Sequence, residues 1–292
     1  MRLAVFTAGV AMIISPIPIN PFIALGSIVC IALGAGASGA LNMWWDSDID
    51  SVMKRTSSRP IPSGKITSDQ ALSFGIFLSI FSVTFLALFA NFLSALILAI
   101  TICFYILIYT MLLKRNTPYN IVIGGAAGAF PPIIGWAVST NTIGIESILL
   151  FLLIFLWTPP HFWSLCLITK NDYSVTKVPM LTETHGVKST KLQILIYSII
   201  LSIPSIMISF SSIGGFIYLI FSIFLNFIFI YYAYSLMVNS NNYKKGDFAM
   251  EKRLFLYSIF YLFVLFIILL LEHFSKILLP SYLIMIEDLL WI

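Results

Sequence analysis

Asn42-Met43-Trp44-Trp45-Asp46-Ser47-Asp48-Ile49-Asp50 closes an unbroken apolar run of about twenty residues and leads into Lys54, Arg55 and Arg59-Pro60. Acids at the end of a hydrophobic span are costly, so they usually mark function. Asn42, Asp46 and Asp50 are spaced i, i+4, i+8, which on a helix stacks them on one face. Asp48 is two residues out of step and points elsewhere. The stretch therefore predicts a face of three oxygen ligands with cations just downstream. Hard carboxylate and amide oxygens suit Mg²⁺, which takes phosphate oxygens as further ligands. Arginine adds bidentate phosphate contacts and lysine a point charge.

The surroundings of that face are those of a membrane protein. The 292 residues are 60% hydrophobic and 10% charged, with mean hydropathy +1.01, too little charge to cover a soluble domain of this size. The apolar runs are continuous rather than alternating, which argues against a β-barrel. Nine spans are predicted, at 3–15, 22–42, 71–90, 92–113, 120–138, 147–168, 193–210, 213–237 and 254–272, in a single all-α transmembrane domain over 1–292. The cations sort by side. Arg2, Lys54, Arg55, Arg59, Lys65, Lys114, Arg115, Lys170, Lys177, Lys188, Lys191, Lys244, Lys245, Lys252 and Arg253 fall on one side of the alternating spans. Only Lys276 falls on the other. By the positive-inside rule the N-terminus is cytoplasmic and the C-terminus external. Topology accounts for the net charge of +4 without a nucleic-acid partner.

Some segments are plain. Cys30, Cys103 and Cys166 lie inside spans without ligand spacing and read as packing residues. The polar loop 239–253 reads as a topology signal, and 277–292 as an external interfacial tail. No cleavable signal peptide is evident. Span 3–15 covers roughly 20 Å against a hydrocarbon core of about 30 Å, so the expected start lies upstream of Met1. The small-residue runs 34–40 and 124–129 read mainly as close helix packing, and Pro131-Pro132 as a kink beside a cavity.

Three further constellations carry chemistry. Lys170-Asn171-Asp172-Tyr173, with Lys177 and Pro179-Met180, lies on the same membrane side as the first face and four helices further on. That placement predicts two related halves whose sites face each other across a central cavity. Asp172 would add a second carboxylate, and Lys177 would neutralise a departing diphosphate. Trp157-Thr158-Pro159-Pro160-His161-Phe162-Trp163 puts a histidine inside a span, suited to a base, a haem-iron ligand or a neutral interhelical hydrogen bond. Lys114-Arg115 is explained by topology, with phosphate contact as the alternative.

Taken together, these residues resemble the UbiA superfamily of intramembrane prenyltransferases. Within it they resemble the branch that farnesylates protohaem IX, through Asn42 to Asp50, Met53-Lys54-Arg55-Thr56, Asn120 to Ala129, Pro160-His161-Phe162 and Lys177-Val178-Pro179-Met180. The resemblance implies nine helices around a cavity open toward lipid, with farnesyl diphosphate and haem B as substrates, Mg²⁺ as cofactor and haem O as product. It implies Mg²⁺ on Asn42, Asp46, Asp50 and Asp172. Asp46, Asp50, Arg55 and Lys177 would be catalytic, and Lys54, Arg59, Lys114, Arg115, His161 and Tyr173 would touch substrate. The expected location is a bacterial inner membrane, multi-pass, with the active site on the cytoplasmic side. Met43 and Thr176 stand where many members have acids, which leaves the number of Mg²⁺ ions open. A homodimer or a partner such as haem A synthase or another oxidase-assembly protein is also left open. Rival readings are another aromatic or tetrapyrrole acceptor and an ion-coupled transporter, which would need acids near mid-membrane in several spans.

Overall fold

The structure is a computed structural model that describes residues 2–169, 175–176, 178–238 and 248–278. Every regular element among them is helical. Helix α1 is Arg2–Ile13. Helix α2, Pro21–Trp45, starts on the side chain of Asn20 with Pro21 in its first turn, where a missing N–H costs nothing. Helix α3 is the short Ser47–Val52, and α4, Ser68–Phe89, opens on a capping box of Thr67 and Gln70. Helix α5, Phe92–Cys103, runs on as a π-helix over Phe104–Leu113 and ends in a turn at Lys114–Asn116. Helices α6, Asn120–Ala129, and α7, Pro131–Thr140, form one interrupted span. The prolines open the second piece because they cannot supply the N–H that would continue the first. Then come α8, Ile145–Ile168, α9, Leu181–Thr184, α10, Gly186–Met207, α11, Phe216–Val238, and α12, Ala249–Leu278.

Eight segments are long and apolar enough to cross a bilayer, and α1 is a ninth, shorter apolar helix. These occupy the nine predicted positions, and the chain is a multi-pass membrane protein. The tail beyond residue 278 and most of loop 239–253 lie outside the described residues.

The bundle has two large hydrophobic cores. One is built mainly from α8, α10, α11 and α12, the other from α2, α4, α5 and α7. Helix α1 contributes to both, with Val10 and Ala11 in the first and Ala8 and Met12 in the second. It comes so close to α7 that a Cβ on Gly135 would lie 2.2 Å from the Ala8 carbonyl oxygen. A third, small core joins Ile49 and Met53 to Ile121, Cys166, Val178 and Met180. It brings the end of the second loop onto the acid-bearing first one.

The opposite end is closed by polar fastenings. Residues of the 13–18 turn, Ser212, Ile213, His273 and Ile277 border one cavity there. Lys276, the exceptional cation, donates to the Gly214 carbonyl at 2.5 Å. Glu272 is fully buried and accepts from Tyr218 N at 2.7 Å, in the first turn of α11, where the helix dipole favours an anion. Glu146 accepts from Ser212 Oγ at 2.6 Å. Both acids at this end thus fasten helix ends, which leaves little to the transporter reading.

Candidate active site

Asp46 sits between α2 and α3, with φ −93° and ψ 14°. The i→i+4 pattern nevertheless continues through it. Asp46 N–H donates to Asn42 O at 2.9 Å, and Asp50 N–H to Asp46 O at 2.8 Å. The three side chains therefore stay on one face, and all are buried: Asn42 is 8% exposed, Asp46 0% and Asp50 1%. Buried carboxylates need partners, because desolvation penalises the bare charge. Asp46 Oδ2 accepts from Asn42 Nδ2 at 2.8 Å and contacts Lys114 Nζ, while Asp50 Oδ2 pairs with Arg59 Nη1 at 2.6 Å. Asn42 Nδ2 also lies 3.2 Å from Thr110 Oγ1. With its N–H groups turned to Asp46 and Thr110, the Asn42 carbonyl oxygen is left to the cavity. Two carboxylates and an amide oxygen form a hard-oxygen set that fits Mg²⁺. Among the described residues no three His, Cys, Asp or Glu side chains converge, and Asp172 lies outside them.

Asn42 and Asp50 line a mouth of about 180 Å³ together with Arg55, Arg59, Lys114, Tyr105, Tyr109 and Met180, and the fully buried Asp46 backs it through Asn42 and Lys114. Of the five expected cations on described residues, Arg55, Arg59 and Lys114 line the mouth. Lys54 is exposed and does not. Arg115 turns outward to Asp48, with Nη1 and Nη2 at 2.9 and 2.8 Å from its two oxygens, and reaches Asp46 Oδ1 only at 3.4 Å. The Arg115 hydrogen bonds hold the Asp48 carboxyl below its ordinary value of 3.8. Asp48 therefore belongs to a rim ion pair, off the ligand face as its register predicts. Tyr173 and Lys177 lie outside the described residues, but Val178 and Met180 beside them do line the mouth. Asn120 Nδ2 holds that segment through the Pro179 carbonyl at 3.4 Å.

Two larger chambers adjoin the mouth. One, of about 460 Å³, runs along the small residues Gly34, Ala35, Ser38 and Gly39 of α2, with Met43, Leu98 and Ile134. The other, of about 410 Å³, is walled by Tyr109, Gly124, Gly125, Gly128, Trp157, His161 and Phe162. Tyr105 is the residue common to all three walls. Tyr105, Tyr109 and Thr110 all ride on the π-helix, whose wider turn re-aims side chains and recurs at functional sites. At Gly124 a Cβ would fall 2.1 Å from the Tyr109 ring, so glycine there is what admits the tyrosine. The small-residue runs thus serve packing and chamber walls at once. Tyr105, Tyr109 and Thr110 escape sequence reasoning because Phe104–Leu113 looks like any apolar span.

His161 makes the interhelical hydrogen bond, Nδ1 to Ser258 Oγ of α12 at 2.7 Å, and also faces the second chamber. Its ring stacks between Trp157 and Phe255, with centroids at 4.2 and 4.9 Å.

A bundle with a buried carboxylate–cation mouth opening onto apolar chambers defines a membrane-embedded transferase of charged-headed, long-tailed substrates. The UbiA prenyltransferase family matches residues 3–259, and the chain belongs to that family. It is 53% identical over 274 residues to the protoheme IX farnesyltransferase of Paracoccus denitrificans (strain Pd 1222), covering 94% of this chain and 90% of the relative. It is 54% identical to the protein of the same name from Bartonella henselae, covering 94% and 87%. The fold is shared with a solved digeranylgeranylglyceryl phosphate synthase at TM-score 0.75 and 20% identity, over 92% of each chain. It is also shared with a UbiA homolog from Archaeoglobus fulgidus bound to DMAPP and Mg²⁺, at TM-score 0.62 and 15% identity, over 90% of this chain and 94% of that one.

Proposed function

We propose that this enzyme transfers the farnesyl group of farnesyl diphosphate to a vinyl group of haem B, releasing diphosphate and forming haem O. Identity of 53–54% over 94% of the chain to farnesyltransferases of protoheme IX supports the substrate pair. The observation that carries the chemistry is the junction at Tyr105, where a phosphate-sized cationic mouth meets two apolar chambers.

The diphosphate enters the mouth beside Arg55, Arg59 and Lys114. Arg59 and Lys114 are held in place by Asp50 and Asp46 before substrate arrives, so little reorganisation is needed when charge develops on the leaving oxygen. Asn42, Asp46 and Asp50, with Asp172, would hold Mg²⁺. When bound, the ion would screen the diphosphate and favour loss of the C1–O bond. Lys177 and Tyr173 act from the second loop. The bond breaks with both electrons going to diphosphate, leaving an allylic cation at C1. The farnesyl tail lies along the Gly34–Gly39 face and the porphyrin lies in the chamber of His161. The terminal vinyl carbon of haem donates its π pair to C1. Water then adds to the second vinyl carbon and loses a proton, giving the hydroxyethyl product. Apolar walls exclude water until the new C–C bond exists.

The whole chain acts as one transmembrane unit in the bacterial inner membrane. Its mouth faces the cytoplasm, a reading supported by the clustering of cations at that end. Incubating the full chain in lipid nanodiscs with haem B, farnesyl diphosphate and Mg²⁺ should yield haem O by mass spectrometry. Prenylation of a quinone precursor, with no haem product, would overturn the assignment.

A further inference from the structure

The polar group least used by this chemistry is His161, and its hydrogen bonding carries information that its sequence position does not. Ser258 Oγ is 2.7 Å from His161 Nδ1 and 2.6 Å from the Phe255 carbonyl oxygen. A serine hydroxyl has one hydrogen. With the hydroxyl hydrogen on the Phe255 carbonyl, Ser258 Oγ accepts from Nδ1–H. That tautomer puts the proton on Nδ1 and the lone pair on Nε2, which takes no hydrogen bond among the described residues.

We propose that His161 Nε2 is the axial ligand to the iron of the acceptor tetrapyrrole, with Ser258 as its positioning residue. The inference rests on the reading of haem B as acceptor. An Nδ1–H anchored to an oxygen, leaving Nε2 to the metal, is how proteins orient ligating imidazoles. The anchoring here is threefold. Trp157 stacks on one face of the ring at an interplanar angle of 15°, and Phe255 on the other at 21°. Trp157 Nε1 donates to the Ser258 carbonyl at 2.7 Å, tying the sandwich to the same residue of α12. The imidazole is thus locked about both side-chain torsions before any ligand binds.

The chamber it faces suits a flat, apolar ring. Among the described residues no Asp, Glu, Lys or Arg lines it, and Gly124, Gly125 and Gly128 remove side chains from one wall. Its volume of about 410 Å³ lies in the range of small-molecule sites. The uncharged lining also weighs against a general-base role, since an imidazolium would have no counter-charge there. Iron ligation needs only the neutral ring. Fixing the iron fixes the porphyrin plane, while rotation about the iron–nitrogen axis is left to the chamber walls.

The test uses the full chain in nanodiscs with haem B alone, read by visible absorption and resonance Raman, without turnover. Wild type should show a histidine-bound iron. His161→Ala should lose that signature, and added imidazole should restore it. Ser258→Ala should keep the ligand but weaken haem binding about tenfold, the usual effect of removing a ligand's orienting partner. Thermal unfolding of each variant reports folding separately. A spectrum unchanged in His161→Ala would overturn the assignment, as would one lost and not restored by imidazole in a protein that unfolds as wild type does. Haem O formation by wild type is scored in parallel. Its absence would sink the haem reading itself, whereas its presence with an unchanged His161→Ala spectrum would sink only the ligand.

Discussion

Asn42 Nδ2 and Thr110 Oγ1 lie 3.2 Å apart although the residues are 68 positions apart in the chain. Thr110 in turn donates to the Tyr105 carbonyl at 2.9 Å, an i−5 contact made within the π-helix. The amide of the acid face is therefore held from the π-helix by Thr110 as well as from its own helix by Asp46. Thr110→Val should lower the rate of diphosphate release between about twofold and tenfold, the worth of one hydrogen bond. Thr110→Ser should stay near wild type. Steady-state kinetics on both variants, with unfolding temperature as the control, checks the assignment.

Asp46 and Lys114 form the second relationship on which the mouth depends. Asp46→Ala should abolish turnover, and it should also strand a lysine whose side chain is only 14% exposed. Breaking such a pair costs about 3–5 kcal/mol. Adding Lys114→Ala removes the stranded charge. The double variant should unfold at a higher temperature than Asp46→Ala yet remain equally inactive. Activity returning in either variant would show that Asp46 is not needed for diphosphate departure.

The rim pair of Asp48 and Arg115 gives a pH signature. The folded-state carboxyl lies below the ordinary value of 3.8, because the Arg115 hydrogen bonds favour its charged form. A depressed carboxylate contributes stability above its unfolded pKa and loses it as pH falls through the folded one. The stability gap between wild type and Asp48→Asn should thus be flat from about pH 8 to about pH 5. It should shrink only on acidification past 3.8. Thermal unfolding across that range would show no gap, and no change of it with pH, if the pair were absent. Turnover should change little, since Asp48 does not line the mouth.

The spans and the acid face are legible in the chain for physical reasons. A bilayer demands long apolar runs and sorts lysine and arginine by side. The i, i+4, i+8 spacing of Asn42, Asp46 and Asp50 survives even the break at Asp46, because the backbone hydrogen bonds bridge it. What cannot be read is whatever depends on distant segments meeting. Arg115 looks as good a phosphate ligand as Lys114, yet the end of the π-helix turns one cation inward to Asp46 and the other outward to Asp48, 67 residues away. Lys54 and Arg55 are neighbours in a loop, and only the second lines the mouth. The partnership of His161 with Ser258 spans 97 residues. Nor does any residue pattern in Phe104–Leu113 announce a π-helix.

Lys191 Nζ and Glu251 Oε1 lie 3.0 Å apart, each side chain only 2% exposed, and they tie α10 to α12 far from the mouth lining. Charge runs of this kind read as topology signals, but this pair is internal. Glu251→Gln should destabilise the protein by about 3–5 kcal/mol, since it takes the Glu251 charge away from a buried ammonium. The double replacement Lys191→Met with Glu251→Leu should regain wild-type stability or exceed it. Unfolding in detergent micelles separates the outcomes. KM for farnesyl diphosphate should be unchanged in the double variant.

Tyr105 stands where mouth and chambers meet, on the path of the allylic cation in the proposed reaction. It lies 5.3 Å, ring centroid to ring centroid, from Tyr109. An aromatic face attracts positive charge and also blocks water, with a worth of about 2 kcal/mol when desolvated. Tyr105→Phe keeps the face and loses the hydroxyl, so it should still convert most farnesyl diphosphate into haem O. Tyr105→Leu removes the face. It should lower haem O formation roughly tenfold and divert a larger share of cleaved diphosphate to farnesol, formed when water captures the cation. The ratio of farnesol to haem O, measured by liquid chromatography with haem B saturating, is insensitive to how much protein is folded. An unchanged ratio in Tyr105→Leu would place the shielding of the cation elsewhere, with Tyr109 and Phe162 as the remaining rings shared by the mouth and the chamber of His161.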